Sequence, residues 1–153
     1  KITTVVKGLP AGVGEPVFGK LNAVLSQAVM SIPGAKGVDF GEGFSGIHLR
    51  GSQYNDAMQS DKGKIKFATN HSGGIQAGIS NGNLVVMNTV FRPASSIGLE
   101  QSTVDVDGNE KNITVGGRHD ACFVPRAAIV VTSMTALALM DLWLQFKSVE
   151  RKF

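Results

Sequence analysis

A chain of 153 residues, 42% apolar and 18% charged, has the length and composition of one folded domain, which excludes a disordered or fibrous protein. Its formal charge of +3 is scattered and too small for the concentrated basic face that a nucleic-acid backbone requires; a small anionic ligand suits it better. The single cysteine, Cys122, allows no intramolecular disulfide, and no Cys/His spacing suits a zinc site, so a reducing cytoplasm and no bound metal are expected.

In chain order, Lys1 to Val6 reads as a strand entered midway, with neither an initial Met nor the apolar core of a signal peptide. A glycine-bearing turn from Gly8 to Gly14 leads to Glu15 and Pro16, a favourable helix start, and Phe18, Leu21, Leu25, Ala28, Val29 and Ile32 then recur at helical intervals. Pro33 and Gly34 end that helix. Ala35 to Phe40 predicts a strand, followed by a glycine turn and a short helix ending near Arg50. Gly51 to Lys64 is polar and reads as a mobile loop. Lys62, Lys64 and Lys66 alternate along a strand and point to one solvated face.

Ile75 to Ser80 and Leu84 to Phe91 are strand-like, and Ser80-Asn81-Gly82-Asn83 between them carries hairpin turn chemistry. A second hairpin is predicted from Ser102 to Val106 and Asn112 to Val115, around Asp107-Gly108-Asn109. The sheet is therefore expected to be largely antiparallel. Pro125 to Phe146 is apolar on all sides but interrupted by Thr132, Ser133, Thr135 and Asp141, the pattern of a helix enclosed by protein rather than of a membrane span. Residues 1–153 are thus read as a single domain of α+β class, a largely antiparallel sheet packed on helices in layers.

Three glycine-linked polar loops offer backbone N–H groups and side chains at strand ends, where a phosphate or carboxylate could bind: Thr69 to Gly74, Arg92 to Ser96, and Gly117 to Asp120. None matches a P-loop or a dinucleotide fingerprint. Arg118, His119 and Asp120 place an anion binder, a group that titrates near neutrality and a carboxylate side by side. The same residues also fit a structural role, with Asp120 capping the following helix and Arg118 in an ion pair. His48 and His71 have no partners at metal-ligand spacing. Cys122 reads as a small core residue and Trp143 as packing.

Four segments carry a wider likeness: VKGLPAGVGEPVFGKLNAVLSQAVMSIPGAKGVDFGEGF from Val6, LRGSQYND from Leu49, TNHSGGIQAGISNG from Thr69 and GRHDACFVPRA from Gly117. Through them the chain resembles chorismate synthases along nearly its whole length. The resemblance implies the C-terminal portion of that family's β-α-β sandwich. It also implies the family's reaction, a 1,4-elimination of phosphate from 5-enolpyruvylshikimate 3-phosphate that needs reduced FMN, and a cytoplasmic homotetramer as the assembled enzyme. Carried over by position, FMN contacts fall at Pro33, Gly34, Ala77, Arg92, Pro93, Ala94, Ser95, Ser96 and Arg118, and Asp120 matches the family aspartate that relays a proton beside the flavin.

Several positions depart from the family pattern. Ala77 stands for a glycine, Arg92 for a lysine, Ala94 for a threonine, Ala121 and Ile129 for prolines, and Thr132 for a glutamate. The family's N-terminal Gly-Glu-Ser-His-Gly motif has no counterpart in these residues, so this portion is expected to be inactive alone. Two other functions fit the same loops and the apolar helix: a non-catalytic flavin- or anion-binding module, and an oligomerisation domain.

Overall fold

The computed structural model describes residues 1–149. Its centre is a three-stranded antiparallel sheet in which β7 (Val85–Phe91) lies between β1 (Ile2–Val6) and β2 (Ala35–Phe40). Ile2 pairs with Thr89 and Val6 with Val85 on one side, while Ala35 pairs with Phe91 and Phe40 with Met87 on the other. Alternation along β7 sends Val85, Met87, Thr89 and Phe91 to the buried face. On the opposite face one cross-strand row is polar: Thr3 donates to Asn88 at 2.8 Å, and Asn88 donates to Asp39 at 2.8 Å.

Two helices cover the buried face. α1 (Leu21–Met30) points Leu21, Leu25 and Val29 inward at four-residue intervals, and all three are fully buried. It packs against the last helix, α3 (Val124–Val149), which contributes Ala127, Val131, Thr135 and Leu142 to the same core. The expected α+β layering and antiparallel sheet are both present.

The first helix starts later than Glu15 and Pro16 suggest. Leu21 N–H donates to the Gly78 carbonyl at 2.7 Å, so a tertiary partner sets the helix start in place of a local side-chain cap, and Phe18 stays exposed.

The segment read as a mobile loop is structured. After a 3-10 helix (Gly43–His48) come a one-turn helix α2 (Gly51–Tyr54) and a hairpin of β3 (Met58–Asp61) and β4 (Lys64–Phe67). Lys62 and Gly63, both at positive φ, form its two-residue turn. Lys62 is therefore in the turn and not on the strand face expected of it, and Lys66 pairs with Asp61.

The first predicted hairpin is also redrawn. Ala77 and Gly78 take positive φ and close a small hairpin of β5 (Ile75–Gln76) with β6 (Ile79–Ser80), so β7 is free to pair with β1 and β2. The second hairpin is present, as β8 (Gln101–Val104) and β9 (Glu110–Ile113). Its turn is tied by the Asp105 carboxylate, which accepts from the backbone N–H groups of Asp107 and Asn109 and from the Asn109 side chain. The bonds from Asn109 come first in holding that carboxyl below its ordinary value.

α3 is long and apolar enough to cross a membrane by length and composition, yet it is docked by one face onto the sheet and α1. Its other face is not enclosed as expected: Ile129, Val130, Leu137, Met140 and Leu144 are exposed. Its hydroxyls bond back within the helix, Thr132 to Ala128, Ser133 to Ile129 and Thr135 to Val131, which satisfies polar groups in an apolar run.

Candidate functional site

Three loops meet at one end of the sheet. Arg92 follows β7, Pro33 and Gly34 precede β2, and Arg118 to Phe123 precede α3. Arg92 N–H donates to the Gly34 carbonyl at 2.9 Å, which locks the first two together. Gly34 has φ +88°, and a Cβ there would lie 3.1 Å from Phe123 Cζ, so glycine lets the third loop close against the first two. Phe123 in turn meets Phe91 edge-on, with ring centroids 6.1 Å apart.

This convergence forms a cavity of about 370 Å³ lined by Arg92, Ala94, Ser95, Ser96, Arg118, His119, Asp120 and Phe123. A second, apolar cavity of about 270 Å³ shares Arg92, Ala94 and Phe123 and adds Phe91, Pro93, Ala121, Cys122 and Val124. Cys122 is exposed here, in contrast to the core position expected of it, because it precedes the helix and lies clear of the packed face.

Asp120 is half-buried and faces two guanidiniums: Arg126, in the first turn of α3, hydrogen-bonds it, and Arg118 Nη2 lies 3.6 Å away. The helix begins at Val124, so Asp120 is an ion-pair partner of its first turn and not its cap. Arg92 Nη1 donates to the Pro93 carbonyl at 3.1 Å. His119, which nothing in the local pattern separates from its neighbours, contacts both Ser96 and Val115. No spacing rule would have found that pair, because Ser96 and His119 meet only through the fold.

Of the residues singled out in the sequence, Arg92, Ala94, Ser95, Ser96, Arg118 and Asp120 come together around one cavity, Pro93 lines the apolar cavity beside it, and Gly34 supports the loops. Pro33 is exposed next to Gly34. Ala77 lies elsewhere, in a cavity of about 390 Å³ with Asn22, Phe40, Tyr54, Ser72, Ile75, Gln76 and Gly78.

In the loop from Thr69 to Gly74 the N–H groups of residues His71 to Gly74 are already bonded within the protein. Asp56 accepts from Thr69 Oγ1 at 2.7 Å and from the His71 and Ser72 N–H groups at 2.7 and 2.9 Å. Gly73 N–H goes to the Asn70 carbonyl and Gly74 N–H to the Asn70 side chain. Burial pushes the Asp56 carboxyl up, but the bonds from Thr69, Ser72 and His71 outweigh it and hold the group below the ordinary carboxylate value. Asp56 sits inside a segment quoted for its likeness, yet nothing local marked it as the organiser of a loop thirteen residues away or more.

The family model described as chorismate synthase matches residues 1–144. The chorismate synthase of Bacteroides thetaiotaomicron is 46% identical over 97% of this chain and 42% of its own length. That of Prochlorococcus marinus strain MIT 9211 is 52% identical over 92% of this chain and 39% of its own length. A solved structure titled "Crystal Structure of Chorismate Synthase" superposes with a TM-score of 0.74 at 26% identity, covering 94% of this chain and 36% of that one. The chain thus spans about two fifths of the length of the curated relatives it matches.

Proposed function

Since the chain belongs to the chorismate synthase family, we propose that it forms the C-terminal, flavin-holding portion of an enzyme that makes chorismate from 5-enolpyruvylshikimate 3-phosphate by 1,4-elimination of phosphate. The observation that carries this is the convergence of Arg92 to Ser96 with Arg118 to Asp120 around one cavity. The donor set suits FMN. Two guanidiniums and two hydroxyls can hold an anionic or carbonyl-bearing group, and the apolar cavity sharing Arg92, Ala94 and Phe123 offers surface to an aromatic ring.

In this reading Arg92 and Arg118 bind the charged parts of the ligand, Ser95 and Ser96 orient it, and Phe123 excludes water on the apolar side. Asp120 holds and returns a proton at its carboxylate, positioned by Arg118 and Arg126. Bound reduced FMN supplies electron density to the breaking C–O bond without net oxidation or reduction. Ala77 lies outside this cavity, and we assign its flavin contact, with the rest of the site, to the assembled cytoplasmic homotetramer.

Turnover is not assigned to this chain alone, because the resemblance implies that the histidines acting as general acids belong, with the Gly-Glu-Ser-His-Gly motif, to an N-terminal half that has no counterpart in these residues. General acid chemistry is worth about 10²–10⁴-fold in rate. The test combines an FMN titration with an anaerobic assay using reduced FMN and the enolpyruvyl substrate. FMN binding weakened at least about tenfold by Arg118→Ala, with no chorismate formed, is the expected result; one lost charge-assisted bond is of that size. FMN binding indifferent to both Arg92→Ala and Arg118→Ala overturns the pocket assignment, and chorismate formed at the rate of a full-length relative overturns the division of labour.

A further inference from the structure

His119 lines the cavity with Ser96, and both of its ring nitrogens face protein atoms. Nε2 lies 2.9 Å from the Val115 carbonyl oxygen, which can only accept, so Nε2 carries a hydrogen. In the neutral ring Nδ1 is then an acceptor, and the Ser96 hydroxyl, 3.1 Å away, donates to it. The Ser96 oxygen is left with lone pairs alone to offer a ligand. Protonation makes Nδ1 a donor too, reverses this bond and frees the Ser96 O–H to point at an anion.

We propose that His119 is a positioning residue acting through Ser96: the neutral ring presents Ser96 to the cavity as an acceptor, the charged ring presents it as a donor, and anion binding here is coupled to uptake of one proton. The ring sits against Gly98, where an added Cβ would lie 3.6 Å from His119 Cδ2, so the Ser96 loop can pass close to it. The charged groups around it are Arg92 from the segment after β7, Arg118 and Asp120 from the segment before α3, and Arg126 of α3. The three guanidiniums keep their charge at every pH of the test and so contribute a constant field around the ring.

This coupling deepens the proposed flavin pocket but requires only that an anion binds there. Sulfate, whose charge is constant over this range, is the probe for it, and FMN titrated in parallel tests the flavin assignment. Sulfate binding to the whole chain is expected to weaken about tenfold from about pH 5.5 to 8, the size of one charge-assisted hydrogen bond. His119→Gln, whose amide can still reach the Val115 carbonyl but takes up no proton, should flatten that dependence, and Ser96→Ala should reduce it to about threefold or less, the remainder being the direct field of the imidazolium. Nitrogen-15 shifts of the ring should show the Nε2–H form at high pH, with Nδ1 displaced by Ser96→Ala. Sulfate binding that is absent, equal at both pH values, or fully pH-dependent in Ser96→Ala overturns the proposal, as does an Nδ1–H tautomer. Sulfate binding with the expected profile but no FMN binding overturns the flavin assignment and leaves the proton coupling standing.

Discussion

The two faces of α3 are both largely apolar and have opposite surroundings. Its inner face places Ala127, Val131, Thr135 and Leu142 against α1 and the sheet, nearly free of solvent. Its outer face carries Ile129, Val130, Leu137, Met140 and Leu144, side chains just as apolar, into the open. Periodicity identifies a helix and, where one face is polar, says which way it faces; a helix apolar all round gives no such direction. What covers each face is decided by the elements packed beside it, and among the described residues α3 meets chiefly α1 and the central sheet at β1.

Leu142 and Leu144 put a scale on this difference, because they are the same residue type two positions apart on one helix, 3% and 60% exposed. The largest effect is expected at the inner position. Leu142→Ala removes three buried carbons, a methine and two methyls, from the cluster that includes Val131 and Leu25, at a cost of about 2–5 kcal/mol. Chemical denaturation of the two proteins side by side measures it. A cost below about 1 kcal/mol would mean that the α1–α3 packing is loose and that the inner face is no better enclosed than the outer.

The inner half of the molecule was also the part most legible in the sequence. Leu21, Leu25 and Val29 at four-residue spacing and the β-rich run ending at Phe91 both reached the core as their patterns imply. Failures came where a long-range partner decides local structure. The start of α1 depends on the Gly78 carbonyl, and the pairing of β7 depends on a turn at Ala77 and Gly78 that Ser80-Asn81-Gly82-Asn83 outshone as a signal. The candidate site divides the same way. Arg92, Ser96, Arg118 and Asp120 were marked by likeness to a family, whereas the Ser96–His119 bond and the Asp56 anchor join residues far apart in sequence.

Asp56 tests whether a loop outside the α1–α3 core is held as firmly as that core. Asp56→Asn keeps one acceptor oxygen but loses the charge that takes three hydrogen bonds, and is expected to cost about 1–3 kcal/mol at neutral pH. Because the carboxyl is held below its ordinary value of about 3.9 when folded, its contribution is fully present above that value and is lost as pH falls through the lower, folded one. Wild type and Asp56→Asn should therefore differ most near neutrality and converge in acid. Curves that stay parallel down to about pH 2 would show that the hydrogen bonds do not favour the charged form.

The smallest effect is expected at Leu144, and it is the one that decides whether the outer face of α3 is bare in solution. A side chain already 60% exposed has little left to lose on truncation, so Leu144→Ala should change stability by less than about 0.5 kcal/mol, the range of ordinary surface substitutions. The helix backbone argues the same way, since alanine is the better helix former and offsets part of the lost contact. Covering of this face by a second copy of the chain would reverse both arguments: Leu144 would become a buried interface residue, its truncation would approach the cost of Leu142→Ala, and stability would rise with protein concentration by mass action. Denaturation of Leu144→Ala and wild type at two protein concentrations about a hundredfold apart separates the cases. Midpoints that coincide across concentration, with a small mutational shift, leave the two faces of α3 as different as they stand in the monomer; midpoints that climb together with a large shift at Leu144 make them alike.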